Sequence, residues 1–231
     1  MPVDSNFLYS GYYAAIAALQ LEDRSYAIKA LNNAKKYDFN KNEILQSLSE
    51  EYKAAEDTVN WEKALHEGLE ALPDQHYFLF NLIQNTMFKD QGKALSMINE
   101  AIKKDPEKAD LYSVAGRVYE LNPDDIGKAE ENFKKAIQLD SESAENQSNL
   151  GRIYFNQAVS QLDKANAISD VKAYNAEKEK VNEQFRKAMP FFEKARIIDS
   201  KHRESYIALS SIYYNLNMLD KLEELEKSMN Q

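Results

Sequence analysis

The sequence predicts an all-α fold, a solenoid of stacked antiparallel helix pairs. Three observations carry that expectation. Apolar residues fall at helical spacing almost throughout the 231 residues, broken briefly at Leu72-Pro73-Asp74, Lys104-Asp105-Pro106 and Leu121-Asn122-Pro123. Six glycines and five prolines are few for a turn-rich β protein of this length. Finally, one short motif recurs along the chain at intervals close to thirty-four residues.

That motif is a small residue, a bulky one four later and an alanine three after that. It reads Ala27-Leu31-Ala34, Ala94-Ile98-Ala101, Ala129-Phe133-Ala136 and Ala188-Phe192-Ala195, with a weaker copy at Ala64-Gly68-Ala71 and a degenerate one at Leu222-Glu226-Met229. Alanines so spaced share one helix face and admit a close neighbouring helix. A second signature lies upstream of several copies: Tyr112, Ala115, Gly116 and Tyr119; Leu150, Gly151 and Tyr154; Tyr206, Leu209, Ser210 and Tyr213. The glycine or serine removes bulk where the partner helix crosses, and the tyrosine fills the groove beside it. About five and a half helix pairs are therefore expected, over residues 5–36, 41–72, 75–104, 108–139, 143–198 and 203–229. Each pair buries its apolar faces only against its neighbours, so the expectation is one continuous right-handed superhelical domain over 1–231.

These two signatures together resemble the tetratricopeptide repeat (TPR) family over nearly the whole chain, most specifically at 109–141 and 144–199. Two departures stand out. Gly68 takes the place of the bulky residue in the second repeat, and Asn81-Leu82-Ile83 lacks a small one.

The fifth pair is the most individual part of the chain. Gly116 and Ala129 are 13 residues apart, whereas Gly151 and Ala188 are 37 apart, so twenty-four extra residues separate the two helices of one pair. They contain neither glycine nor proline. Phe155, Val159, Leu162, Ala165 and Ile168 follow helical spacing outward; Val171, Tyr174, Lys178, Val181, Phe185 and Ala188 follow it back. Joined at the N-cap pair Ser169-Asp170, the two stripes predict a helical hairpin over 158–187 with a coiled-coil-like seam. It is expected to project about 18 Å and to offer a surface to a partner or to a second copy of the chain. Pro190 is expected to kink the returning helix.

Composition narrows the function classes. A formal net charge of −9 argues against nucleic acid as the main ligand, and against docking on an anionic membrane. No apolar run approaches the roughly 20 residues of a membrane-spanning helix. The absence of cysteine excludes disulfides and zinc-thiolate sites, and suits either the cytoplasm or the periplasm and cell envelope after removal of a signal. The start, Met1-Pro2-Val3-Asp4-Ser5, has no secretory pattern; the first helix lacks a polar cap in front of it, and the expectation is that the native chain continues upstream. His66, His76 and His202 stand apart from any metal-ligand spacing, and no phosphate loop or nucleophile elbow is present. No metal, cofactor or catalytic residue is expected, and Asn146-Gln147-Ser148 matches a glycosylation acceptor only within a predicted helix.

The resemblance implies more. In the family the first helix of each pair lines the concave side, where extended peptides lie. By register that places Tyr77, Phe80, Asn81 and Gln84 of the third repeat in the groove, with Asp110, Ser113, Val114 and Arg117 of the fourth and Glu145, Ser148, Asn149 and Arg152 of the fifth. Arg117 and Arg152 hold equivalent places, each one residue after a glycine, and the expectation is that both guanidinium groups line one wall. The expected function is a non-catalytic scaffold or interaction module for a protein or peptide partner. The alternatives are self-assembly and glycan binding, the latter through Tyr9, Tyr12, Tyr13, Tyr77, Phe80 and Phe88.

Overall fold

The computed structural model describes residues 5–37 and 39–229. The side chains of residues 5–10 and 229 lie outside the described residues, and with them the expectations for Tyr9 and Met229. Among the described residues there are twelve α-helices and no strand: α1 (Ser5–Gln20), α2 (Arg24–Ala34), α3 (Lys41–Ala54), α4 (Thr58–Ala71), α5 (His76–Thr86), α6 (Gln91–Lys104), α7 (Ala109–Glu120), α8 (Ile126–Leu139), α9 (Ala144–Asn166), α10 (Val171–Ile198), α11 (Arg203–Asn215) and α12 (Leu219–Met229). They form six pairs over the expected segments. The helices gather into two compact units, Met1–Met97 and Ile98–Gln231, each with its own core.

The turns inside the pairs are made without glycine. Glu22, Glu56 and Asn217 adopt left-handed backbone conformations directly after α1, α3 and α11. The next residue's N–H then reaches five residues back: Asp23 to the Ala18 carbonyl, Asp57 to Tyr52 and Met218 to Tyr213, each at 2.8–3.0 Å. These are Schellman-type ends. Asp23 and Asp57 then cap the following helix, accepting from the N–H groups of Tyr26 and Asn60. The α7–α8 turn differs, because Pro123 starts a 3₁₀ turn over Pro123–Asp125.

At three places in the cores a ring is seated over a missing side chain. A Cβ added at Gly116 would stand 2.5 Å from the Phe133 ring, and one at Gly151 3.1 Å from the Phe192 ring and 3.2 Å from Phe191 Cβ. These glycines thus lie where the two helices of a pair cross, α7 on α8 and α9 on α10. The structure explains the departure at Gly68 in the second repeat. A Cβ there would stand 2.3 Å from the Phe78 ring, so α5 supplies the bulk that α4 lacks, and the contact joins neighbouring pairs. Phe78 is fully buried with Leu45, Leu65 and Leu82.

The long fifth pair forms the expected hairpin, α9 against α10, and Asp170 accepts from the Ala173 N–H at 2.8 Å to start the return arm. Its seam differs from the expected one. On α9, Ala158 and Ala165 are fully buried, while Val159 is 36% exposed; on α10, Val181, Phe185 and Ala188 are buried, while Val171 is 71% exposed. On α9 only Val159 leaves the expected stripe, with Ala158 in its place, while Phe155, Leu162 and Ala165 keep their expected positions. Helix α10 runs unbroken through Pro190, where the Arg186 carbonyl loses its N–H partner. The base of the hairpin is also core: Ala158, Val181 and Phe185 share one cluster with Ala208, Leu209 and Ile212 of α11, with Leu162, Leu216 and Met218 packed against it. Lys178 reaches Asn215 at 3.4 Å.

Two outcomes are expected from this packing. Gly116→Ala should lower the free energy of unfolding by about 1–3 kcal/mol in urea titrations. Gly151→Ala should cost less, because its neighbours stand farther off. Replacing residues 163–177 by a short turn should leave the melting midpoint nearly unchanged, whereas deleting 159–182, which removes the buried Val181, should lower it clearly.

Candidate functional site

On α5, Tyr77 is half-buried, its hydroxyl 3.1 Å from Ser49 Oγ and 3.4 Å from Glu50 Oε1; burial and the Glu50 charge raise the phenol's pKa. Phe80 lies 5.6 Å from the His76 ring, Asn81 donates back to the Tyr77 carbonyl at 2.9 Å, and Gln84 is exposed. The other front aromatics are partly tied down. Tyr12 packs edge-on against Tyr13 and Phe39 and its hydroxyl donates to Glu43, while Tyr13 and Phe88 are largely exposed.

In the second unit the groove set divides. Ser113, Ser148 and Asn149 are buried, and Asn149 Nδ2 donates to Ser113 Oγ at 3.1 Å, a tie between α7 and α9. They line no open wall, because small polar side chains at this level occupy the crossing between stacked helices. Asn146 is buried too, which closes the glycosylation acceptor in the folded chain.

Arg117 is exposed, but Arg152 is not its free partner on a common wall. Arg152 Nε and Nη2 grip both oxygens of Glu120 at 3.1 and 2.8 Å, and Nη1 reaches Glu204 at 3.1 Å. One guanidinium therefore links α7, α9 and α11. Burial alone would lower its pKa, but the Glu120 and Glu204 carboxylates outweigh that and hold it above the ordinary arginine value. The two partners stand 32 and 52 residues away in the sequence, and only the stacking of first helices brings them together.

Beside this network α9, α10 and α11 enclose a cleft of about 470 Å³. Phe155, Phe192 and Ala208 supply apolar lining, Ile207 is 56% exposed, and Arg152, Asn156, Arg203 and Glu204 supply polar groups. His202 fixes the start of α11: its Nδ1 accepts the Ser205 N–H at 3.3 Å and lies 2.8 Å from Ser205 Oγ. Arg203, the first residue of that helix, pairs with no carboxylate among the described residues and is exposed. Sequence reasoning missed this cleft. Phe155 reads as a seam residue, and Ile207 carries no motif; the available signal was an arginine beside an acidic residue at a helix start.

No protein-family model matches the sequence, and no curated protein does. The backbone is nonetheless similar to several solved structures. One is TTC0263, a thermophilic TPR protein of Thermus thermophilus, at 16% identity and TM-score 0.59, covering 90% of this chain and 99% of that one. Another is MamA from Desulfovibrio magneticus RS-1, at 18% and 0.51, covering 78% and 96%. A third is human IFIT1, solved as a dimer with m7Gppp-AAAA, at 19% and 0.63, covering 90% of this chain and 46% of that one. By fold the chain is a tetratricopeptide-repeat-type helical solenoid.

Removing the Arg152 side chain would leave Glu120, only 19% exposed, without its cation. Arg152→Ala is expected to lower stability by about 2 kcal/mol in chemical denaturation, whereas Arg117→Ala, on the open surface, should change it by less than about 0.5 kcal/mol.

Proposed function

We propose that this chain is a non-catalytic protein-interaction module and that the cleft between α9 and α11 receives a partner segment. The observation that carries this reading is an apolar cleft with an unpaired cation at its mouth. Phe155, Phe192 and Ile207 favour an aliphatic or aromatic side chain, and Arg203 favours a carboxylate next to it. In a chain of net charge −9, a free arginine at a hydrophobic opening selects acidic-hydrophobic segments over acidic ones alone. Arg152 serves here as a braced wall, while the exposed Gln84 and Arg117 are further contact residues on their own helices.

IFIT1 was solved with m7Gppp-AAAA, but the −9 charge of the present chain disfavours such a polyanion as its main ligand. The test begins with affinity capture from the native source and ends with the purified partner in a titration. Ile207→Lys together with Arg203→Glu should weaken that partner at least about tenfold while the melting curve stays intact. Unchanged affinity would remove the α9–α11 cleft from the interaction surface.

A further inference from the structure

Four of the first helices carry a tyrosine three residues after a small one: Tyr52 after Ser49, Tyr119 after Gly116, Tyr154 after Gly151 and Tyr213 after Ser210. In the fifth pair that tyrosine shares the groove between α9 and α10 with a second ring. Tyr154 and Phe191 stack there with centroids 5.9 Å apart. The hydroxyls are anchored on the preceding pair: Tyr154 donates to Glu130 at 2.7 Å, and Tyr213 to Glu193 at 2.9 Å.

The first pair has alanine at both ring positions. Aligning Gly11 with Gly151 sets Ala14 against Tyr154, and aligning Ala27 with Ala188 sets Ala30 against Phe191. Gly11 still packs on α2, since a Cβ there would stand 3.7 Å from Ala34 Cβ. The helix crossing is kept, and the two rings are not. Between α1 and α2 this leaves a cleft of about 620 Å³, with Gly11, Ala14, Ala30 and Ala34 as its apolar lining.

The rest of the lining is aromatic and cationic. Tyr26 and Tyr37 border the cleft, and Lys29, Asn33 and Lys36 follow one another at helical spacing. Lys36 Nζ donates to Asn33 Oδ1 at 3.3 Å. Among the described residues no carboxylate lines the cleft, and neither lysine pairs with one. A two-ring volume beside two such ammonium groups favours a ring system that carries a negative charge.

We propose that the α1–α2 cleft binds a small aromatic carboxylate, a compound of one or two fused rings with the acid at its edge. The rings take the volume that Tyr154 and Phe191 fill in the fifth pair, and the carboxylate meets Lys29 and Lys36. The site belongs to the first pair alone and is independent of the α9–α11 cleft.

The test is a calorimetric titration of the full chain with 2-naphthoate at low ionic strength. Two controls accompany it: 2-naphthamide, which has the rings without the charge, and decahydro-2-naphthoate, which has the charge without the aromatic rings. Naphthoate is expected to bind with a Kd below about 1 mM. The amide should bind at least about tenfold more weakly, and the saturated acid at least about threefold. Lys29→Gln with Lys36→Gln should weaken naphthoate to the level of the amide and leave the melting curve unchanged, because both side chains are exposed. Ala14→Tyr with Ala30→Phe should abolish binding and raise the melting midpoint, as the two rings become buried in the groove. Should that filled variant not fold, the lysine variant decides alone. Naphthoate binding that is absent at about 10 mM, that either control matches, or that persists in the lysine or the filled variant would overturn the proposal.

Discussion

A pair of short helices cannot bury both its apolar faces by itself, so every repeat here is folded only as far as its neighbours let it be. What makes the neighbours fit at three crossings is an exchange of volume. Phe133 fills the space left by Gly116, Phe192 that left by Gly151, and Phe78 that left by Gly68. The ring comes from the second helix of the pair in the fourth and fifth repeats and from the following pair at Gly68. The donor of bulk changes, and the close contact survives.

That exchange explains why the helices were so legible in the sequence. The alanine spacing is a local feature, decided within a turn or two of chain; five pairs carry a copy of it and the last a degenerate one. The hairpin was legible for the same reason, down to Asp170 as its cap. One seam position was not: choosing between Ala158 and Val159 means choosing between faces some 100° apart, and hydrophobicity favours the valine. Close packing of two long arms favours the alanine.

The functional residues were harder to read because their roles are set by distant chain. Ser148 and Asn149 are polar and sit where family register puts groove residues, yet both are buried, Asn149 against Ser113 of α7. Arg152 reads as a free surface cation until Glu120 and Glu204 arrive from two other repeats. Helix α9 matters most in this respect. Its length gives it two flanks, one facing α11 with an apolar pocket and the other overhanging the α7–α8 turn with a row of amides. Asn156 lies on the ridge and borders both.

The position of Arg152 bears on how the second unit comes apart. In a linear array where each repeat touches only the next, unfolding can fray inward from an end, one repeat at a time. Arg152 holds a carboxylate on each side of its own repeat, so a loosened α11 or α7 alters the electrostatic setting of the other through a shared cation. Such a link beyond nearest neighbours raises the cooperativity of the three repeats. It favours a single sharp transition over stepwise peeling, and it keeps the two flanks of α9 rigid together.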